Sequence, residues 1–209
     1  KVVSFLSTCI FPDDVEYPLC EHMLHDGAPH TSNFGYSYAK RMLDVHSRAI
    51  KEQYGLNYIC VIPTNIYGPN DNFNLDDSHV VPALIHKCYL AKTDLVVWGS
   101  GKPIREFIYS EDVGELTQLI LDEYDGPGPL IISSGEEISI KDLVDLIVKA
   151  MKFKGKIVFD DSKPDGQYRK TTSNLLLKTI FPKYKFTKLK QGIKKTVDWF
   201  VENYESCRK

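Results

Sequence analysis

Hydrophobic residues follow two alternating patterns in the first half of the chain. Short, continuous apolar runs at positions 2–6 and 58–62 are typical of strands that are buried on both faces of a sheet. Between these runs, apolar residues recur at helical spacing from 33 to 54, and Gly55 follows as a stop signal. This order of strand, helix and strand predicts a parallel α/β sheet.

The second half of the chain is more irregular and predicts shorter elements. Apolar positions favour strands at 95–98, 107–109 and 157–159, and helices at 80–91, 112–124, 139–153 and 189–201. Ser139 and Asp142 have the spacing of a capping box at the start of the third of these helices. The Gly-Pro-Gly-Pro sequence at 126–129 predicts a turn or a boundary.

A Gly-rich turn normally connects the first strand and helix of a dinucleotide-binding α/β protein, and this chain has none. Its first strand therefore has the character of a middle strand of such a sheet. We expect the chain to be the C-terminal portion of a longer protein. The expected fold class is α/β, with the C-terminal part of a Rossmann-type parallel sheet followed by a smaller mixed α/β region.

Composition narrows the classes of function. The chain has 209 residues, is 43% hydrophobic and carries a formal net charge of −2, which gives no electrostatic reason to expect a nucleic-acid or membrane-surface partner. No apolar stretch approaches the length of a membrane-spanning helix. Five scattered cysteines without a Cys-x-x-Cys pair favour reduced thiols and a cytoplasmic location over disulfides, and they make a metal site unexpected.

Candidate chemistry begins with Tyr36 and Lys40, which lie four residues apart on one face of the first predicted helix. A phenol is a weak acid–base catalyst near neutral pH, but a nearby ammonium stabilises the phenolate and suits it to exchange a proton with a carbonyl oxygen. Ser7 follows the first strand at its carboxyl end, where ligands of open α/β sheets bind. The spacing alone is weak evidence, because Tyr184 and Lys188 share it outside any helical pattern.

Several further motifs follow in order along the chain. They are Ser7-Thr8-Cys9, Tyr36-Ser37-Tyr38-Ala39-Lys40, Pro63-Thr64-Asn65-Ile66-Tyr67-Gly68-Pro69, Asn70-Asp71-Asn72-Phe73, Ser78-His79-Val80, Val97-Trp98-Gly99-Ser100-Gly101 and Arg105-Glu106-Phe107. Together they resemble the extended short-chain dehydrogenases that act on nucleotide sugars, and among these the GDP-L-fucose synthase family. The resemblance runs from Lys1 to about Arg208.

The resemblance implies an activity and an organisation. Members of the family use NADPH to convert GDP-4-keto-6-deoxy-D-mannose to GDP-L-fucose, by epimerisation at sugar carbons 3 and 5 and reduction at carbon 4. Residues 1–69 would then be the remaining part of the NADP-binding domain with the catalytic helix. Residues 70–209 would mainly bind the GDP-sugar, with some segments returning to the Rossmann sheet. A homodimer packed through the helix of Tyr36 and Lys40 is also implied.

Roles for individual residues follow from the resemblance where the motifs match. Catalysis would fall to Ser7, Tyr36 and Lys40 as the reductase set, with Cys9 and His79 moving protons during epimerisation. The segment next to the nicotinamide would be Pro63, Thr64, Asn65 and Ile66, with Lys40 and His79 also near the cofactor. The GDP-sugar would be held by Lys87, Trp98, Arg105 and Asp165, and Lys170 is a further candidate on the substrate side.

Each of these residues also has a simpler interpretation. Cys9 can be a small core residue, His79 can cap the following helix or lie in solvent, Trp98 can belong to a core and Lys87 can be a solvated charge. Arg105 can pair with a neighbouring glutamate. Two other functions remain open: another nucleotide-sugar epimerase or dehydratase of the same fold, and a non-catalytic fragment. As an isolated piece, the chain is expected to have little reductase activity.

Overall fold

The computed structural model describes residues 1–209 and contains nine strands and six α-helices. The strands are β1 (Val2–Phe5), β2 (Tyr58–Pro63), β3 (Asn65–Tyr67), β4 (Asp94–Trp98), β5 (Ile104–Tyr109), β6 (Leu130–Ile132), β7 (Glu137–Ser139), β8 (Lys156–Asp160) and β9 (Arg169–Lys170). The helices are α1 (Phe34–Tyr54), α2 (Val80–Leu90), α3 (Ser110–Glu123), α4 (Ile140–Met151), α5 (Leu175–Ile180) and α6 (Leu189–Glu202).

The chain forms two compact units, and each is built from three segments. The first unit comprises Lys1–Ile66, Glu106–Glu136 and Lys170–Phe186, and the second comprises Tyr67–Arg105, Glu137–Arg169 and Thr187–Lys209. The assignment of separate functions to 1–69 and 70–209 stays a prediction. None of the helices is both long and apolar enough to span a membrane.

A parallel sheet in the order β1-β2-β6 forms the centre of the first unit. Alternate residues of β2 enter two different cores: Ile59 and Val61 face one, whereas Cys60 and Ile62 face the other. The first core is completed by residues of α3 and α5, and the second is lined by the partly buried Leu43 of α1. Helices therefore cover both faces of the sheet, as the continuous apolar runs predict.

Helix α1 begins at Phe34 and ends at Tyr54, and Gly55 caps its C-terminus, in agreement with the predicted stop signal. Gly55 adopts φ 66°, in the left-handed region that favours glycine, and its N–H donates to the carbonyl of Lys51. The capping box of α4 is also confirmed, because the Ser139 side chain accepts a hydrogen bond from the N–H of Asp142. Both ends are thus determined by local sequence.

The second unit pairs β4 with β8 in parallel, from Asp94 opposite Lys156 to Trp98 opposite Asp160. Leu95 and Val97 of β4 are buried, while the alternate positions are exposed. An aromatic cluster packs α2 against α6 around the buried His86, whose Nδ1 lies 2.7 Å from the carbonyl oxygen of Phe73. Sequence periodicity predicts α2, α4 and α6 within a few residues of the observed bounds.

The remaining strands form a sheet in the order β3-β5-β7, in which β9 also pairs with β5. The sequence patterns do not predict β3, β6, β7, β9 or α5. These strands have two or three residues each, too few to establish a period, and pairing with longer neighbours stabilises them instead. The predicted turn at 126–129 is confirmed as the connection between α3 and β6, and it lies inside the first unit rather than at its boundary.

Candidate active site

The carboxyl end of β1 positions the first candidate residues. Ser7 is the N-cap of a short 3₁₀ turn at Thr8–Ile10, and its Oγ accepts a hydrogen bond from the N–H of Cys9 at 3.3 Å. Ser7 and Cys9 are both partly accessible, whereas Thr8 and Ile10 are buried. The turn therefore anchors its apolar side in the core and presents the hydroxyl and the thiol. Cys9 is not a core residue.

Two hydrogen bonds join helix α1 to this region, one to the turn and one to the end of β1. The buried Ser37 donates from Oγ to the carbonyl of Cys9 at 2.9 Å, and Lys40 donates from Nζ to the carbonyl of Phe5 at 2.7 Å. Lys40 also lies 5.9 Å from the centroid of the Tyr36 ring, as its position four residues along the helix predicts. The Tyr36 side chain is half exposed and accessible to a ligand. The structure thus brings Ser7, Cys9, Tyr36 and Lys40 onto two adjoining segments of the first unit.

The segment after β2 lies at the same edge of the parallel sheet. Pro63 ends β2, the N–H of Thr64 donates to the carbonyl of Ile132 at 3.1 Å, and Asn65 donates from Nδ2 to the carbonyl of Glu106 at 2.7 Å. Thr64 is buried, yet its Oγ1 has no hydrogen-bond partner within the protein. A buried hydroxyl without a partner fits a segment that completes its hydrogen bonds with a bound cofactor.

Lys170 reaches the same group of residues from the far end of the chain. Its Nζ donates to the Sγ of Cys9 at 3.2 Å, although the two residues are 161 positions apart. No local sequence pattern could have identified this pair, because only the fold brings the two side chains together.

The buried Glu106 is a second feature that sequence patterns did not single out for a role. Its Oε2 accepts hydrogen bonds from the hydroxyl of Ser133 at 3.1 Å, and from the N–H and hydroxyl of Thr172 at 3.1 and 2.6 Å. A buried carboxylate requires such donors to offset its lost hydration. These bonds fix the segment that follows Lys170.

The alternative pair, Tyr184 and Lys188, has a different environment. Tyr184 lies outside any helix, and its hydroxyl is 3.1 Å from Glu115 Oε2 and 3.4 Å from Asp112 Oδ1. Burial and these carboxylates raise the pKa of Tyr184 well above its usual value, with burial as the larger cause. A catalytic phenol needs the opposite shift, so this pair is a coincidence of spacing.

In the second unit, Lys87 of α2 and Trp98 at the end of β4 form a cation–π pair. The Nζ of Lys87 lies 4.2 Å from the ring centroid of Trp98, and the ring is 61% exposed. Burial lowers the pKa of Lys87. Trp98 is therefore not a core residue, and Lys87 is not a fully solvated charge. An exposed aromatic face can contact a nucleotide base, and a neighbouring ammonium can pair with the phosphates of the nucleotide.

Asp165 closes a loop of the second unit. Its carboxylate accepts hydrogen bonds from the N–H and hydroxyl of Ser100 at 2.6 and 2.7 Å, and the Ser100 side chain is the main reason that the pKa of Asp165 is lowered. Gly99 adopts φ 84°, and a Cβ at this position would lie 2.5 Å from Asp165 Oδ1. Only glycine therefore permits this close approach.

Arg105 and His79 are the remaining candidates of the second unit. The guanidinium of Arg105 donates to the carbonyls of Ile104 and Gln167 at 2.8 and 2.6 Å, which fixes the orientation of its planar fork. His79 is the N-cap residue of α2, but its side chain makes no capping hydrogen bond and is exposed. The interpretation of His79 as a side-chain cap is therefore wrong.

No group of three or more His, Cys, Asp or Glu side chains is arranged to hold a metal ion.

Residues 1–135 match the protein-family model described as the NAD dependent epimerase/dehydratase family. The chain belongs to this family. Ligands of open α/β sheets bind outside the carboxyl ends of the strands, the edge at which Ser7 and Thr64 lie here.

Individual relatives are similar over the whole chain. GDP-L-fucose synthase from Dictyostelium discoideum is 56% identical across 100% of this chain and 67% of its own length. "Probable GDP-L-fucose synthase" from Drosophila melanogaster is 47% identical across 100% of this chain and 69% of its own. The crystal structure of a GDP-L-fucose synthetase from Naegleria fowleri bound to NADP has a TM-score of 0.95 at 47% identity, and covers 99% of this chain and 65% of that chain. The chain thus spans about two thirds of the length of these relatives.

Proposed function

We propose that the chain carries the catalytic residues of an NADPH-dependent epimerase/reductase that converts GDP-4-keto-6-deoxy-D-mannose to GDP-L-fucose. The position of Cys9 is the observation that best supports this proposal. Cys9 lies in the turn that directly follows Ser7, and its carbonyl accepts a hydrogen bond from the helix that carries Tyr36 and Lys40. Ser7, Tyr36 and Lys40 can act on a carbonyl oxygen, and the thiol of Cys9 accompanies them. This combination suits a reaction that both reduces a ketone and inverts the configuration of the neighbouring carbons. The two relatives named for this product support the substrate.

Reduction at carbon 4 needs hydrogen-bond donors at the ketone oxygen. The Ser7 hydroxyl accepts from the N–H of Cys9 and keeps its own proton to donate to a substrate oxygen. Tyr36 would deliver the proton to that oxygen, and the ammonium of Lys40 on the next turn favours the phenolate that remains.

Epimerisation at carbons 3 and 5 uses the same ketone. A C–H bond next to a carbonyl is acidified because its electron pair can delocalise as an enolate, and donors from Ser7 and Tyr36 would stabilise the enolate oxygen. Cys9 and His79 would exchange protons with the two carbons. Thiol and imidazole groups titrate nearer to neutrality than most side chains, which suits both to this role.

The residues at the end of β2 fit a nicotinamide cofactor. Pro63, Thr64, Asn65 and Ile66, with Lys40 and His79, would hold NADP(H), and the unpartnered hydroxyl of Thr64 supports a ligand at this segment. When bound, NADPH supplies the hydride for carbon 4. The NADP bound to the Naegleria fowleri structure supports this choice of cofactor.

Residues of the second unit would hold the GDP portion. The exposed Trp98 ring would stack on a planar group, and the ammonium of Lys87 would pair with a phosphate. The guanidinium of Arg105 suits bidentate contacts with the diphosphate. Asp165 would contribute through the loop that it closes with Ser100. Lys170 is a further candidate on the substrate side.

Assembly and location are proposed on separate observations. Helix α1 exposes the apolar side chains of Phe34, Tyr38, Met42 and Val45, which supports a homodimer packed through this helix. All five cysteines are free, which supports a cytoplasmic location.

The test uses the natural gene product with GDP-4-keto-6-deoxymannose and NADPH in heavy water, followed by NMR of the sugar. Deuterium at carbons 3 and 5 together with NADPH oxidation is the expected result. NADPH oxidation without deuterium would identify a simple ketoreductase. An absence of both, from folded and cofactor-saturated protein, would reject the proposed substrate.

A further inference from the structure

Cys9 differs from the other thiols of the chain in its hydrogen-bond partner. Cys20, Cys60 and Cys207 each donate from sulfur to an oxygen atom. Burial raises the pKa of Cys60, and raises that of Cys88 to about 11. The sulfur of Cys9 instead accepts a hydrogen bond from the ammonium of Lys170 at 3.2 Å. Of the five thiols, Cys9 therefore has the cationic partner that suits a thiolate.

Backbone hydrogen bonds hold the segments that carry both members of this pair. The N–H of Cys9 donates to Ser7, and its carbonyl accepts from Ser37. Next to Lys170, the carbonyl of Thr171 accepts from the N–H of Leu19 at 2.9 Å, and Leu19 is buried. The contact between Nζ and Sγ therefore joins two ordered segments of the first unit.

We propose that Lys170 is a positioning residue for Cys9, which directs the sulfur and stabilises its negative charge during proton transfer. The proposal rests on the epimerase activity proposed above and gives Lys170 a role other than binding the substrate. It concerns proton transfer at the sugar carbons and not hydride transfer to carbon 4.

The proton step can be written in full. When the Cys9 thiolate takes a proton from a sugar carbon, an S–H bond forms and a C–H bond breaks. The electron pair of that C–H bond moves into the enolate and places negative charge on the ketone oxygen. Lys170 keeps all its protons. In the reverse direction the thiol gives up its proton, and the thiolate that remains is stabilised by the ammonium of Lys170.

The decisive variant is Lys170→Met, which removes the charge and keeps most of the side-chain length. The first measurement is deuterium incorporation at carbons 3 and 5 at saturating GDP-sugar, without NADPH. We expect a decrease of roughly tenfold or more, because a hydrogen bond from a charged group is lost. The Kd for GDP should stay within about twofold of the unaltered protein, since a factor of two is a small change in binding free energy. Lys170→Arg should recover part of the exchange rate.

A second measurement follows the thiol itself and needs no substrate. Alkylation of Cys9 by iodoacetamide, relative to Cys20 in the same sample, is quantified by peptide mass spectrometry. Lys170→Met should slow the alkylation of Cys9 and leave that of Cys20 unchanged, because a thiolate is the reactive form. Lys178→Met, at an exposed lysine of α5, is the matched control and should behave as the unaltered protein.

Unchanged exchange and unchanged alkylation in a folded Lys170→Met protein would overturn the proposal. So would a weaker affinity for the GDP-sugar with full exchange at saturation, since Lys170 would then be a substrate ligand. If Lys170→Met does not fold, Lys170→Gln provides the same comparison. If the unaltered protein exchanges no deuterium, the proposed function fails, and alkylation alone then decides whether Lys170 acts on Cys9.

Discussion

The carbonyl oxygen of Cys9 accepts a hydrogen bond from the buried hydroxyl of Ser37 at 2.9 Å. This bond joins the turn that carries the thiol to the helix that carries Tyr36 and Lys40. Ser37 points into the protein, whereas Tyr36 on its N-terminal side is half exposed. One helical turn thus presents a phenol to a ligand and simultaneously fixes the position of the neighbouring segment.

The Ser37→Ala variant tests this connection. It removes the donor and leaves the Cys9 carbonyl without that partner, so we expect a loss of about 1–2 kcal/mol in the free energy of unfolding. Reductase turnover should also fall, because the turn with Ser7 and Cys9 is less well held. Ser47→Ala is the matched control: it is buried on the same helix and is bonded to the thiol of Cys60 at 3.5 Å. Denaturant titration and turnover are measured for both variants. Equal turnover in Ser37→Ala and Ser47→Ala would show that the hydrogen bond from Ser37 to Cys9 has a structural role only.

The pairing of Lys87 with Trp98 predicts a pH dependence of nucleotide binding. Burial lowers the pKa of Lys87, while diphosphate binding needs its charged form. Affinity for GDP should therefore fall as the pH rises through the lowered pKa of Lys87, below the usual lysine value of about 10.4. Calorimetry of GDP binding across this range is the measurement.

Two substitutions identify the origin of that dependence. Lys87→Ala should weaken GDP binding by about tenfold and abolish its alkaline dependence, because the loss of an ion pair with phosphate is of this order. Lys92→Ala, at an exposed lysine just beyond α2, is the control and should change neither property. A persistent alkaline loss of affinity in Lys87→Ala would assign the titration to another group.

We expect the pKa of the Asp165 carboxylate to depend on its contact with Ser100. The Ser100 side chain is the main cause of the lowered pKa of Asp165, so Ser100→Ala should raise that pKa towards its ordinary value. Because the pKa of Asp165 is lower in the folded state, the contact stabilises the fold at pH values above the unfolded pKa of about 3.9. This stabilisation is lost as the pH falls through the folded-state pKa. NMR titration of the Asp165 carboxyl carbon measures the shift.

A second Asp–Ser pair in the same unit provides the control. Ser162 donates to Asp160 at 2.6 Å and is the main cause of the lowered pKa of Asp160. Ser162→Ala should therefore raise the pKa of Asp160 and leave that of Asp165 unchanged. An Asp165 pKa that does not respond to Ser100→Ala would mean that the Ser100 N–H and the neighbouring lysine and arginine charges hold it down instead.

The sequence predicts those parts of the candidate site that depend on local spacing. Tyr36 and Lys40 share a helix face because four residues make about one turn, and Ser7 lies at the carboxyl end of β1 because a continuous apolar run precedes it. The contact of Lys170 with Cys9 could not be predicted in this way. The two residues lie on segments that are remote in sequence, and no repeating pattern links these segments.

The partly buried Lys87 and the buried Glu106 lie between these extremes. The family resemblance places Lys87 at the substrate, and Glu106 belongs to the Arg105-Glu106-Phe107 motif, but burial decides what Glu106 does: it is a buried acceptor for Ser133 and Thr172. Short strands such as β6 were missed for a related reason. Leu130–Ile132 is stabilised by its pairing with β2, and three residues carry no signal of their own.

The apolar stripe on α1 predicts that assembly depends on this helix. Phe34, Tyr38, Met42 and Val45 recur on one side of α1, and Met42 is 64% exposed. A charge at the centre of a self-complementary interface meets its own copy across the two-fold axis, so Met42→Glu should convert a dimer to a monomer. Light scattering after size exclusion gives the molar mass of each variant. Val201→Glu, at an exposed apolar residue of α6, is the matched control and should remain dimeric. A dimer that survives Met42→Glu would place the interface on another surface.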